Sequence, residues 1–394
     1  MAEIRGAVRP SGRIKAYPED FAVDEIPAYA PSGAGDHLFV RFTKTDCTTM
    51  EAVQRIARAL GCDPRQAGFA GMKDKRAVAT QTISLQTPRG VRAAELAARA
   101  CALSFDDIVI REAVPHTNKL KPGHLAGNRF TLVVRDVPLA GIPEVAAAFT
   151  RMARDGVPNA FGAQRFGVAG DNAARALAWL RGQERGPRDP RALRLLWSSL
   201  QSAIFNTVLA ERVRAGTWAT PLAGDLLKLR ASGGLFVCSD VQTDRERALA
   251  GDLSPTGPMF GVHMRAAEGA PGELERRICE ETIGPDVDLT RTRALGEGSR
   301  RPLRIWVENL VWELAAEARG PREPSGKSES RVDCGKGTAC VRVDFVLPKG
   351  AYATTVLSNA LTIHESQAEN PALEGDDETT KTDNTHSEPD ENER

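Results

Sequence analysis

The sequence predicts an α/β protein of two lobes, with one block of chain inserted into the other. Three observations carry this reading. Strand-like and helix-like patterns alternate through about residues 1–156. A Gly- and aromatic-rich junction, "VPNAFGAQRFG", then opens a middle block of different texture, about residues 157–306. A strand, a turn and a helix start return in "ACVRVDFVLPKGAYATTVLSNAL". At 394 residues the chain is long for one domain and comfortable for two.

"DHLFVRFTKT", residues 36–45, has the composition of a strand. In "TTMEAVQRIARALG", Thr48 and Glu51 stand at capping-box spacing and Gly61 supplies a stop. Met50, Val53, Ile56, Ala57 and Leu60 recur at helical spacing, so that face of the helix is expected to be buried. "TISLQT" is a second short strand, and "RFTLVVRDV", residues 129–137, alternates as a half-buried strand does. A helix around "PEVAAAFTRMARDG" stops near Gly156. In the middle block one amphipathic helix runs from Arg191 to about Arg214. "GDLLKLRASGGLFVCSD" is a hairpin turning at Gly233 and Gly234. "PTGPMFG", residues 255–261, is expected to be a turn or loop, and "NLVWELAAEARG" is either a short helix or a mixed segment.

Composition narrows the classes. Hydrophobic residues make up 41% and charged residues 26%, the balance of a globular chain. No apolar run approaches a membrane span and the N-terminus has no apolar signal core, so a cytoplasmic protein with no membrane partner is expected. Seven scattered cysteines point to reduced thiols, and six histidines without ligand spacing point to no bound metal. No phosphate-binding loop, dinucleotide fingerprint or serine-hydrolase elbow occurs. The formal net charge of zero conceals an asymmetry. Residues 365–394 hold eleven of the 52 acidic residues and two of the 52 basic ones, leaving residues 1–364 with nine surplus positive charges. A basic body fits a polyanionic partner, most simply nucleic acid, and fits equally well a soluble domain with a solubilising tail. That tail lacks the apolar residues to fold and is expected to be disordered.

The densest chemistry is "FAGMKDKRAVATQ", residues 69–81, in a loop between the first helix and the strand that follows. Lys73, Lys75, Arg76 and, upstream, Arg65 crowd around one carboxylate, Asp74. A carboxylate among cations keeps its charge, which suits a nucleophile or a general base. The plain alternative is a surface ion pair contributing about 0–1 kcal/mol.

This stretch resembles the signature of the TruD family of tRNA pseudouridine synthases, matching it at Gly71, Lys73, Asp74, Ala77, Thr80 and Gln81. Further likenesses follow in family order: "GRIKAYPEDFAVDEI", "HTNKLKPGHLAGNRFTL", "NAFGAQRFG", "PTGPMFG" and "LPKGAYATTVLSNAL". The resemblance implies a mixed, largely antiparallel sheet with flanking helices, formed by residues 1–156 and 307–364. It implies a family-specific domain inserted at residues 157–306, with the tail outside both. It implies isomerisation of uridine to pseudouridine without metal or cofactor, at uridine 13 in the D-arm of tRNA, notably tRNA-Glu. Asp74 would be the essential acid, attacking C1′ or taking a proton from C2′. Phe130 and Tyr352 would stack on the displaced base. Asn128 would bond either the loop or the base edge. Lys15 would hold the Asp74 carboxylate charged or touch phosphate, and Lys73 and Arg76 would neutralise flanking phosphates. Arg165 would touch RNA or brace the junction. No protein partner is evident and a monomer is expected. The chain departs from the family pattern at Ala351, in "VLSNALT" and in the polar segment 321–338. A synthase of broader scope and a non-catalytic RNA-binding protein on the same fold are the alternatives; an intact Asp74 argues against the second.

Overall fold

The computed structural model describes residues 9–167, 169–285, 289–315 and 337–365. The acidic tail beyond Glu365 and nearly all of the polar segment 321–338 lie outside the described residues.

The chain begins with β1 (Ser11–Ile14), β2 (Phe21–Pro27) and β3 (His37–Thr45), then α1 (Thr49–Leu60). Next come β4 (Gly68–Phe69), β5 (Val78–Gln86), α2 (Ala93–Cys101), β6 (Ile108–His116), β7 (Leu125–Pro138) and α3 (Ile142–Asp155). The middle block holds β8 (Val157–Pro158), α4 (Asn172–Leu180), α5 (Pro190–Arg214), β9 (Leu226–Leu229), β10 (Leu235–Val237) and α6 (Val241–Ala250). It continues with β11 (Leu253–Met259), α7 (Gly269–Ile283), β12 (Ser299–Pro302) and β13 (Arg304–Ile305). The chain then returns through β14 (Glu308–Ala315), β15 (Thr338–Pro348), α8 (Ala353–Leu357) and β16 (Thr362–Glu365).

The main sheet has the order β14-β15-β7-β2-β5-β3-β6, with β1, β16 and β4 attached at its side. All pairings on this path are antiparallel except β2 with β5. Cross-strand partners share a face, so the register aligns Lys44, Ala79, Val23, Phe130 and Phe345 in one row. The helices pack on that face as two separate clusters. Val53, Ile56 and Leu60 of α1 and Leu96 of α2 cover Val40, Phe42 and Ile83. Val145 and Phe149 of α3 and Val356 of α8 cover Leu132, Val134 and Val343. The opposite face is mixed: Thr43 pairs with Thr80 and Arg41 with Asp24, beside buried Phe39 and Val133 in small apolar clusters.

The α1 cap has the expected reciprocal bonds. Thr48 Oγ1 accepts from the Glu51 amide at 3.1 Å, Glu51 Oε2 accepts from the Thr48 amide at 2.7 Å, and Gly61 closes the helix at φ 72°. Replacing Thr48 with Ala removes one half of the box and is expected to lower stability by about 1 kcal/mol, read from urea unfolding. Met50, however, is 40% exposed, while Thr49 and Ala52 fill the inward face. Val53, Ile56, Ala57 and Leu60 are buried as expected, and Met50 alone leaves the inward face.

In the middle block, α4, α5 and α7 share one core and a second sheet runs β10-β9-β11-β12. The segment expected as a loop, "PTGPMFG", lies largely in β11. Leu253–Pro255 pair only with β9, and Thr256–Met259 only with β12. Each half is bonded on a single side, which is how a strand accommodates two prolines. Residues 309–315 of the undecided segment lie in β14, an edge strand with Leu310 and Trp312 packed on the core and Val311 exposed; the segment's residues 316–320 lie outside the described residues. Where the chain leaves and re-enters the main sheet, β8 and β13 pair antiparallel, Val157 opposite Ile305. One cysteine departs from expectation. Cys47, Cys62, Cys101, Cys238 and Cys279 are free, but Cys340 is disulfide-bonded.

Candidate active site

The loop of Asp74 lies on the helix-bearing face, clamped from below by residues of other elements. Lys44 continues the inward series Leu38, Val40, Phe42, and all four are fully buried. Its Nζ donates to the main-chain carbonyls of Asp74 and, at 3.5 Å, Lys75. Burial pushes the Lys44 ammonium below the usual lysine range. Thr49 Oγ1 accepts from the Lys73 amide at 3.0 Å and from Gln81 Nε2 at 3.2 Å. Arg76 donates to the Ala16 carbonyl at 2.6 Å. Side chains from below thus bond the loop's backbone at Lys73, Asp74 and Lys75, while Met72, Asp74 and Lys75 stay exposed.

The Asp74 side chain is 46% exposed and its Oδ2 lies 2.8 Å from Lys15 Nζ. Lys15 follows β1 in the left-handed region at φ 56°, an uncommon conformation for a residue with a side chain. The next turn is held by Asp20, which pairs with buried Arg135 and accepts from the Tyr17 amide at 2.9 Å. Lys15 Nζ also lies 4.7 Å from the Phe21 ring centroid and 3.3 Å from Glu365 Oε1.

Asp74 opens into a cleft of about 490 Å³ whose walls include Lys15, Lys73, Asn128, Phe130 and Tyr352. Phe130 forms its floor, 6% exposed, edge-on to Phe21 with centroids 6.1 Å apart and 5.5 Å from Phe345. Tyr352 stands at the rim, 47% exposed. Gly127, beside Asn128, is required by close approach, since a Cβ there would meet the Leu347 carbonyl oxygen at 2.4 Å. Gln164 from the middle block and Lys349 from the turn after β15 complete the walls.

The crowd of cations expected around Asp74 is dispersed. Arg65 pairs with its neighbour Asp63 at 3.2 Å. Lys73 turns inward, 3.1 Å from Glu25 Oε2, and donates to Asn128 Oδ1 at 2.8 Å. Its charge is matched inside the fold by Glu25, while its side chain remains in the wall of the cleft. Arg76 ties down the segment before β2 and does not line the cleft. The counter-charge of Asp74 is instead Lys15, supplied by a distant part of the chain. Asn128 bonds the loop through Lys73, one of its two expected roles. Arg165 braces α5, donating to Ser202 Oγ at 3.1 Å and to Ser198 Oγ. Sequence reasoning missed Glu25, Lys44, Thr49, Gln164 and Lys349. Glu25 and Lys44 carried a signal, because each continues the buried side of an alternating strand.

Chemically, the site offers one lysine-paired carboxylate, half open to solvent, above an aromatic floor. Among the described residues no group of acids, histidines and cysteines is placed to hold a metal ion. A family model described as tRNA pseudouridine synthase D (TruD) matches residues 6–176 and 188–360. The chain belongs to the TruD family. Curated relatives named tRNA pseudouridine synthase D include one from Anaeromyxobacter dehalogenans (strain 2CP-C), 42% identical over 351 residues, covering 88% of this chain and 92% of the relative. Another, from Thermus thermophilus, is 35% identical over 354 residues, covering 89% of each. The solved structure of a TruD protein from Methanosarcina mazei superposes with a TM-score of 0.71 over 90% of this chain and 94% of that one. Its identity of 22% makes it evidence of the shared fold. The enzyme class is that of the TruD family, an isomerase making pseudouridine.

Proposed function

We propose that this enzyme converts uridine 13 in the D-arm of tRNA, tRNA-Glu foremost, to pseudouridine, in the cytoplasm and as a monomer. The observation carrying the site assignment is the Asp74 carboxylate, paired with Lys15 at 2.8 Å and opening into the Phe130–Tyr352 cleft. The target nucleotide leaves its helix at a cost of roughly a few kcal/mol. Stacking on Tyr352 at the rim offsets part of this, at about 1–3 kcal/mol per stacked base. Phe130 supports the base from below. Asp74 acts on the ribose, by attack at C1′ or by taking the C2′ proton. The N1–C1′ bond breaks, the uracil turns and C5 bonds to C1′, releasing the Asp74 ester in the first route or followed by return of the proton to C2′ in the second; the C5 proton is lost and N1 gains one. The net change is an isomerisation.

Residues 157–306 form an inserted domain that closes on the RNA, and residues 1–156 with 307–364 form the catalytic domain. The pairing of β8 with β13, at the entrance and exit of that block, supports this division. Gln164 in the wall of the cleft supports its role in closing the site.

The test is conversion of unmodified tRNA-Glu transcript, followed by mapping of pseudouridine across pooled cellular RNA. The expected result is one major product at uridine 13. Conversion confined to other positions would overturn the substrate assignment.

A further inference from the structure

A second cavity, of about 420 Å³, adjoins the Asp74 cleft across the turn after β15, where Lys349, Gly350 and Ala351 line both. Its other walls come from the β9–β10 hairpin and the β12–β13 segment of the middle block. Five cations border it: Lys228, Arg230, Arg301, Arg304 and Lys349. The single carboxylate in its lining, Glu308, pairs with Arg230.

The remaining charge is held by groups that do not neutralise it. Arg304 lies 3.3 Å from the Trp306 ring centroid and donates to the Ala248 carbonyl at 3.0 Å. Arg301 lies 4.0 Å from the Phe161 centroid and donates to Asn159 Oδ1. Neither arginine forms an ion pair among the described residues, and the Nε of each is buried without a hydrogen-bond partner. Burial pushes both guanidinium groups down to about 10, whereas an internal carboxylate at bonding distance would hold them up. Aromatic rings position a guanidinium and leave its charge in place. Asp155 acts on Arg304 only from beyond ion-pair distance, so both desolvated cations lack a paired anion and call for one from outside. Lysine ammonium groups and the planar donor forks of arginine are the groups that hold phosphodiesters.

We infer that this cavity seats phosphates of the substrate RNA strand next to the displaced uridine, fixing the register in which that nucleotide enters the Asp74 cleft. The inference rests on the reading of that cleft as the uridine pocket. The shared wall makes the two sites consecutive along one strand: a base on the Asp74 side of the turn leads its backbone to the other side.

The experiment measures the affinity of the full chain for unmodified tRNA-Glu transcript across a range of salt. Lys228 makes no ion pair among the described residues and is the variant of choice, because removing buried Arg304 endangers folding. Lys228→Gln is expected to bind about three- to tenfold more weakly at moderate salt, with a salt slope shallower by about one. Lys228→Arg is expected to restore both. At saturating RNA, Lys228→Gln should keep its kcat and show a raised KM. Unchanged affinity and slope in a Lys228→Gln protein that melts like wild type would overturn the inference. Binding is read without turnover, so the two readings fail separately. A wild type with the expected slope that left uridine 13 unconverted would defeat the proposed substrate and leave the cavity assignment standing.

Discussion

Asp74→Asn is expected to lower pseudouridine formation by at least about 10⁴-fold, the scale of losing a nucleophile or a general base. RNA affinity should stay within about twofold, because this carboxylate is not a phosphate ligand in any version of the site. Asparagine keeps the shape of the side chain, and the Asp74 main-chain carbonyl that Lys44 grips is unchanged by the substitution. Lys15 loses a partner at 2.8 Å and retains Glu365 at 3.3 Å. The fold therefore has no reason to fail, and loss of turnover reports chemistry. Single-turnover conversion of tRNA-Glu transcript, with filter binding on the same preparation, makes the measurement. A variant retaining more than about a hundredth of the wild-type rate would exclude the acid as the reacting group, since electrostatic support alone is worth about 10²–10³.

The two parts of the site differ in how far they could be read from sequence, and the difference is physical. Asp74 stood out because the motif around it is local: the loop, the Gly71 before it and Gln81 after it lie within a few residues of one another. The expected cation crowd was wrong for the same reason. Counting charges along the chain assigns Lys73, Arg76 and Arg65 to Asp74, but each finds a nearer partner in space: Glu25, the Ala16 carbonyl and Asp63. Lys15 reaches Asp74 only because β1 folds back beside β7 and a left-handed residue turns its side chain into the cleft. Such a contact has no local signature. In the fold, α1 and its capping box are legible because both signals span a few residues, and the β9–β10 hairpin turns at its glycines. β11 was misread because its two prolines are tolerated only through a change of partner strand midway, a property of the sheet. Glu25 and Lys44 stand in between. Strand alternation assigns both to the buried side, and a buried charge without a visible partner is itself an indication of a site.

Lys44 allows that indication to be tested. Lys44→Met is expected to give a folded protein that binds tRNA like wild type and converts it about 100-fold more slowly, the cost of a displacement near 1 Å at the reacting group. Methionine fills nearly the same volume but cannot donate to the Asp74 and Lys75 carbonyls. An unsatisfied buried carbonyl costs about 1–3 kcal/mol. Removing a desolvated ammonium returns energy of the same order, so the net change in stability is expected to be small. The readout that separates positioning from bulk structure is kcat falling while KM and RNA affinity hold. A protein that lost melting temperature, affinity and rate together would assign Lys44 to the fold alone. The pH dependence adds an independent check with a definite sign. Burial lowers the Lys44 pKa in the folded state from its ordinary 10.5, so the unfolded chain binds this proton more tightly than the native one. Stability contributed at this position therefore rises with pH from the depressed folded value up to about 10.5. Wild type should gain on Lys44→Met in urea midpoint as the buffer becomes alkaline. A difference that stayed flat across that range would mean that Lys44 does not enter the fold as a desolvated charge, and the clamp on Asp74 would then owe nothing to its ammonium.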